Sequence, residues 1–314
     1  MSEFVGKSSG RICLLGDNTD LIEKPAIAAA ISAYLTITLK KNQTNRVRLE
    51  APEISYVEEF SLGDPVDKES PLRYLRAVCR RLSASIDLGF TAQIRSDIPI
   101  GAGLSSSTAL CIAFIDALNQ GFDLKLTTPD IAELAFIVEN DDLGIECGRM
   151  DQYAIAYGGV TYIETGVPPR VERLEARALP IIVADTEEKH NTQELQVWLR
   201  RRIKAGEPVL LESLDRVVEL VESGKKAILG GDLERLGELM SRQQWEEKLM
   251  GTSTGRLEHL CSVAIKAGAL GAKQMGAGGG GCIIALCPPS RQERIKKAVE
   301  AQGAPAWAFQ IVDR

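Results

Sequence analysis

Pro99-Ile100-Gly101-Ala102-Gly103-Leu104-Ser105-Ser106-Ser107-Thr108-Ala109-Leu110 sets glycines, a run of serines and the start of an apolar helical pattern side by side. Gly101 and Gly103 let the backbone turn closely around a ligand. The serines fall in the first turn of a helix whose apolar residues Leu110, Phe114 and Leu118 recur at four-residue spacing. Unpaired N–H groups and the positive dipole end there favour an oligophosphate, with hydroxyls free to reach phosphate or a metal ion. Taken alone, the same letters also describe a serine-capped helix after a flexible turn.

A second stretch, Lys273-Gln274-Met275-Gly276-Ala277-Gly278-Gly279-Gly280-Gly281-Cys282, holds five glycines in six positions. By letters, Gly276 to Gly281 fits the dinucleotide fingerprint G-x-G-x-x-G. That fingerprint follows a strand and opens a helix, whereas these glycines run into Cys282-Ile283-Ile284-Ala285-Leu286, which reads as a buried strand. A glycine loop entering a strand suits close backbone approach to a ligand. A third stretch, Ser9-Gly10-Arg11-Ile12-Cys13-Leu14-Leu15-Gly16-Asp17-Asn18-Thr19-Asp20, is a short apolar strand with an arginine at its start and acids at its end. Between them lie Glu139 and Cys147-Gly148-Arg149-Met150-Asp151-Gln152-Tyr153.

In this order the pieces resemble the GHMP kinases, the small-molecule kinase family that includes galactokinases, homoserine kinases, mevalonate kinases and phosphomevalonate kinases. Pro99 to Ala109 is similar to the family's P-x-x-x-G-L-x-S-S-A phosphate loop, with Thr108 in the usual alanine position. Lys273 to Cys282 is similar to its K-x-T-G-A-G-x-G-G-C motif, with Met275 where threonine is common. The resemblance runs from about Gly10 to Leu286. It implies an α+β, two-domain fold: an N-terminal domain with a left-handed β-α-β crossover, a C-terminal ferredoxin-like domain, and an active site between them. The general rule for crossovers gives the opposite hand. The two-proline stretch Gly166 to Arg170 is the linker candidate, which divides the chain into residues 1–170 and 171–314.

The resemblance implies ATP, held by Pro99, Gly101, Gly103, Leu104, Ser105, Ser106 and Ser107 on one side and by Gly276, Ala277, Gly278 and Gly279 on the other. It points to Ser107 and Glu139 for Mg²⁺, a hard cation that takes few protein oxygens. Asp151 is similar to the family's catalytic aspartate. A carboxylate there would accept the substrate hydroxyl's proton, an effect of roughly 10²–10⁴-fold. Arg11 resembles the basic residue that pairs with it, holding it ionised and balancing charge on the moving phosphoryl group. Each has a plainer reading: a cap aspartate, a surface arginine, an exposed helix acid.

Substrate identity is read from Gly16-Asp17-Asn18-Thr19-Asp20, where galactokinases carry G-E-H-T-D. Asp17, Asn18 and Asp20 are the substrate candidates; Asp20 matches the family pattern and suits a sugar ring. Glu23 to Ala30 instead resembles the mevalonate kinase stretch, and the Lys189-His190-Asn191-Thr192 region is similar to glucuronokinases. His190 could face the substrate, with a capping role for Asn191 or Thr192 as the alternative. The expectation is a sugar or sugar-acid kinase, with mevalonate kinase as the alternative and a non-catalytic ligand-binding relative as a further one.

Composition narrows the classes. A net charge of −6 gives no reason to expect nucleic acid. No apolar run is long enough to span a bilayer and no secretory leader pattern is present, so a cytoplasmic protein is expected. The seven cysteines form no C-x-x-C pair and read as reduced core thiols, and two histidines leave no histidine-based metal site. A homodimer is left open.

Overall fold

A computed structural model describes residues 2–99, 101–176, 179–188 and 191–314. The chain starts as a long hairpin of β1 (Glu3–Leu15) and β2 (Ala26–Lys41), paired from Glu3 opposite Lys40 to Leu15 opposite Ile27. Residues Ala26 to Ile31 of β2 are apolar and buried at every position, and buried positions alternate with half-buried ones from Ser32 to Leu39. The strand is therefore covered on both faces at its start and on one face further along. Its first half therefore carries no periodic signal in the sequence.

β3 (Arg46–Ala51), β4 (Tyr56–Ser61), β5 (Phe90–Ser96), β6 (Val160–Glu164) and β7 (Arg170–Leu174) extend this sheet in the order β4-β3-β5-β2-β6-β7, with β1 on β2. β3 and β5 run parallel, joined through β4 and α1 (Arg73–Leu82); the other pairs are antiparallel. α2 (Ser106–Phe122) packs on β1 and β2, followed by α3 (Thr128–Ile137) and α4 (Met150–Tyr157). The N-terminus of α3 is fixed by Thr127, whose backbone N–H donates to Asp130 Oδ2 at 2.8 Å.

Gly166 to Arg170 is not the passage between the two halves. It is the turn of the β6–β7 hairpin, and the chain leaves the first sheet only after Leu174, because β7 pairs with β6 from Arg170 to Leu174. The second sheet comprises β8 (Ile181–Asp185), β9 (Gly271–Gln274), β10 (Cys282–Leu286) and β11 (Ala306–Phe309), all antiparallel, in the order β11-β8-β10-β9. Between β8 and β9 lie α5 (Thr192–Lys204), α6 (Pro208–Gly230), α7 (Leu233–Met250) and α8 (Gly255–Ala267), and α9 (Gln292–Glu300) precedes β11. With α5 to α7 inserted, this is the β-α-β-β-α-β order of a ferredoxin-like unit.

β10 is buried at all five positions. Cys282, Ile284 and Leu286 enter a core shared with Ile12, Leu14 and Ile155, while Ile283 and Ala285 face Leu260, Ile295 and Val299 beneath α8 and α9. One core therefore runs through both halves. After β11 the chain returns to the first half, with Ile311 bridged to Ile31 and Asp313 to Gly158. Among the described residues no helix is long and apolar enough to cross a membrane, and all seven cysteines are free.

Candidate active site

β1 brings Arg11 to the start of α2. Its backbone N–H donates to Leu104 O at 3.2 Å and its Nη1 to Gly103 O at 2.7 Å, so the serine loop is tied to this side chain. Ala102 and Leu104 are buried and anchor the loop, whereas a β-carbon on Gly101 would meet nothing within 4 Å. Gly101 and Gly103 hold φ of 78° and 67°, the left-handed values the turn requires. Pro99 leads into the turn. Ser105 is the N-cap of α2, outside the first turn, with φ of 57°. Ser106, Ser107 and Thr108 follow in the first turn, and their N–H groups have no intrahelical partner.

The Arg11 guanidinium meets Asp151, in the first turn of α4, with two parallel hydrogen bonds: Nε to Oδ1 at 2.7 Å and Nη2 to Oδ2 at 2.6 Å. The Ser105 hydroxyl also donates to Asp151 Oδ2. Burial pushes the Asp151 carboxyl up, but the Arg11 charge and these hydrogen bonds outweigh it and hold it below the usual carboxylate range. Arg11 is burdened by burial in turn, and Asp151 more than compensates, raising its pKa.

Glu139 lies in a π-type turn, Val138–Asp142, that continues α3, and it is buried rather than exposed at a helix end. Its carboxyl has partners: Thr108 Oγ1 donates to Oε1 at 2.9 Å and Gln152 Nε2 to Oε2 at 2.6 Å. Burial raises its pKa to about 7, with Asp151 adding to the shift and the two donors opposing it. Tyr74 stands near both metal candidates, since burial and the Glu139 charge raise its pKa while a Ser107 hydrogen bond lowers it. One buried carboxylate and a hydroxyl at the start of α2 form a donor set of the oxygen type that fits Mg²⁺. Among the described residues no group of three or more His, Cys, Asp or Glu forms an all-protein metal cage.

The glycine loop closes the opposite wall. Gly276, Gly278, Gly279, Gly280 and Gly281 take φ of 78°, 88°, 73°, 141° and 74°, and Met275 N–H donates to Cys282 O at 2.9 Å at the base of the hairpin. A β-carbon on Gly103 would lie 3.8 Å from Met275 Cε, so the two loops face each other. Between them is a cavity of about 110 Å³ lined by Arg11, Asp20, Asp151, Gln152, Thr192, Gly276 and Ala277, among others.

Asp20 reaches this cavity past Gly148, where a β-carbon would sit 2.0 Å from Asp20 Oδ2. Burial, Asp151 and Asp17 raise the Asp20 carboxyl to about 7. Asp17 and Asn18 also line the cavity, yet their polar atoms bond inward. Asp17, fully buried, accepts Gly276 N–H at 2.5 Å on Oδ1, and Gln243 Nε2 at 3.0 Å together with Lys273 on Oδ2. Asn18 Nδ2 donates to Glu247 Oε2 at 3.3 Å. Burial and the Asp17 charge raise Glu247 to about 7. His190 lies outside the described residues. Asn191 is the N-cap of α5, accepting Glu194 N–H at 3.3 Å, and Thr192 faces the cavity.

The sequence reading missed Gln152, Thr108, Gln243 and Glu247 as members of the site. A signal for the last two exists, because Leu236, Met240, Gln243, Glu247 and Met250 recur at helical spacing, placing an amide and a carboxyl on a core-facing stripe. Residues 71–159 match the family profile described as GHMP kinases N terminal domain, and residues 225–305 the one described as GHMP kinases C terminal. A mevalonate kinase of Thermococcus sibiricus is 33% identical over 95% of this chain and 93% of its own. A solved Methanococcus jannaschii mevalonate kinase superposes with a TM-score of 0.87 at 21% identity, covering 99% of both chains. A Lactococcus lactis galactokinase complexed with galactose gives a TM-score of 0.85 at 26% identity, over 99% of this chain and 94% of that one.

Proposed function

The chain belongs to the GHMP kinase family and is an ATP- and Mg²⁺-dependent small-molecule kinase; on that premise we propose that it phosphorylates a hydroxyl of a compact acceptor of the mevalonate type. The observation that carries the kinase site is the Arg11–Asp151 pair, set at the start of α2 and facing the glycine loop. The relatives named mevalonate kinase match along nearly the whole chain, and the cavity of about 110 Å³ suits a small acceptor.

Phosphoryl transfer asks mainly for positioning and charge stabilisation. The N–H groups of the α2 first turn and of Ala277 and Gly278 would cradle the phosphates, with Ser107 and Glu139 holding Mg²⁺; those of Gly276 and Gly279 are spent on Asp17 Oδ1 and Thr252 O. When bound, MgATP supplies the phosphoryl group and neutralises the charge that develops on it. Asp151 remains ionised throughout the physiological range and accepts the hydrogen bond of the attacking hydroxyl. Its depressed pKa makes it a weak base, so aiming the hydroxyl is the larger part of its role, and it takes the proton late. Arg11 fixes both carboxylate oxygens and brings a permanent positive charge toward the moving phosphoryl group.

One observation favours a second reading. The Asp20 carboxyl enters the cavity without a hydrogen-bond partner among the described residues, as an acceptor for a sugar hydroxyl would. The test is ADP release from MgATP with mevalonate, galactose, glucuronate and other free sugars. Turnover with mevalonate supports the proposal; turnover with a sugar alone replaces it by the sugar reading. With the active acceptor, Asp151→Asn should lower kcat by roughly 10²–10⁴-fold while nucleotide binding is kept. An unchanged kcat would remove Asp151 from the chemistry.

A further inference from the structure

Four buried side-chain nitrogen or oxygen atoms have no hydrogen-bond partner among the described residues, and Gln152 Oε1 is the one whose residue lines the cavity. Gln152 is 1% exposed. The orientation of its amide follows from its neighbour: Nε2 lies 2.6 Å from Glu139 Oε2, and with Glu139 ionised, the form in which it holds a cation, turning the amide over would set two oxygens against each other. The free carbonyl oxygen is therefore held beside Glu139. The Cys147 thiol does not answer it, because its Sγ faces Nε2 at 3.8 Å.

A buried amide oxygen without a donor is costly, and a leucine or methionine would fill the same space without that cost. No side chain or backbone group among the described residues supplies that donor, which leaves the oxygen open to a donor carried by what binds there. An acceptor hydroxyl is already claimed by Asp151, the neighbouring residue on α4. The position beside Glu139 instead suits the hydration shell of a divalent cation, since Mg²⁺ keeps several waters and each of them donates.

We infer that Gln152 is a positioning residue for the divalent cation: its amide N–H fixes Glu139, and its carbonyl accepts a hydrogen bond from water in the cation's shell. This rests on the reading of Glu139 as a cation ligand. Outer partners of this kind typically carry 10–100-fold in metal affinity.

Mn²⁺ serves as the probe, its free fraction followed by electron paramagnetic resonance in the presence of ADP. Gln152→Met should weaken Mn²⁺ binding about tenfold, leave the acceptor KM within about twofold and keep the ligand-free protein folded, as read by its melting temperature. Thr108→Val removes the other donor to Glu139 without removing a carbonyl acceptor, and should weaken Mn²⁺ less. Should Gln152→Met fail to fold, Gln152→Asn keeps the amide one methylene shorter and should show the same loss in smaller degree. Mn²⁺ affinity unchanged in the Gln152 variant, a loss no larger than that of Thr108→Val, or a raised acceptor KM with metal binding intact would each overturn the inference. Glu139→Gln separates the two layers of the argument. If it binds Mn²⁺ as the unaltered protein does, the metal reading falls and this inference with it; if it loses binding while the Gln152 variants keep it, only the inference falls.

Discussion

Ser105 holds a left-handed backbone, with φ of 57°, that costs a serine free energy and persists only where its surroundings impose it. An N-cap serine ordinarily turns its hydroxyl to the N–H groups of its own helix. This one donates to Asp151 instead, and the α2 N–H groups are left for an anion. Gly148 makes a comparable concession to Asp20. Gly148→Ala would drive a β-carbon to 2.0 Å from Asp20 Oδ2, so the carboxyl must leave its place. The expected result is an acceptor KM raised at least about tenfold, the equivalent of about 1.4 kcal/mol, with the KM for ATP little changed. Steady-state kinetics at varied acceptor would show it, and an unaltered acceptor KM would mean that Asp20 does not touch the substrate. Arg11 and Asp151 are 140 positions apart in the chain, and only a family resemblance, not local pattern, joins them in the sequence. Gln152 was not legible, because a glutamine next to an aspartate says nothing about which of its atoms will go unpaired.

At the scale of elements, the helix that opens at the serine run and the strand after Gly281 were readable, the first from its four-residue apolar spacing and the second from its short apolar run. The start of β2 was not, since a strand covered on both faces has no period to detect. The β6–β7 turn misled because two prolines mark a turn without telling whether it joins strands or domains. α7 is the most informative element in retrospect. Its Gln243 and Glu247 face inward to meet Asp17 and Lys273, so that the turn after β1, α7 and the glycine loop share one buried polar cluster. Lys273 is fully buried, and the Asp17 and Glu247 charges more than offset the cost of burying its own. Lys273→Met would leave Asp17 buried without its cation. Loss of one partner from such a pair costs about 3–5 kcal/mol, readable as a lowered urea midpoint. A loss under about 1 kcal/mol, the range of exposed pairs, would show that water reaches the cluster.

Over the whole molecule, Asp20, Glu139 and Glu247 each carry a pKa raised to about 7, with burial as the leading cause. In an unfolded chain such carboxyls titrate near pH 4. Between roughly pH 4 and 7 the folded protein therefore binds protons that the unfolded chain has released, and stability falls as pH rises through that window. Asp151 acts with the opposite sign: its lowered pKa gives stability that is present above the unfolded value and lost only in stronger acid. The ligand-free protein should melt higher at pH 6 than at pH 8 by differential scanning calorimetry, and MgATP should narrow the gap. A melting temperature that climbs from pH 6 to 8 would contradict this balance.

The chain crosses between its halves twice, once after Leu174 on the way to Ile181 and once after Phe309, where Ile311 and Asp313 pair with Ile31 and Gly158. A groove of about 990 Å³ runs between the two crossings, bordered by Leu174, Pro180, Phe309 and Val312. Two bodies tethered at two points, like a door on a pair of hinges, keep a single axis of rotation, and the core they share resists even that. Traffic into and out of the candidate site is thereby left to the loops at its mouth, and turnover should respond to the stiffness of those loops far more than to any swing of one half against the other.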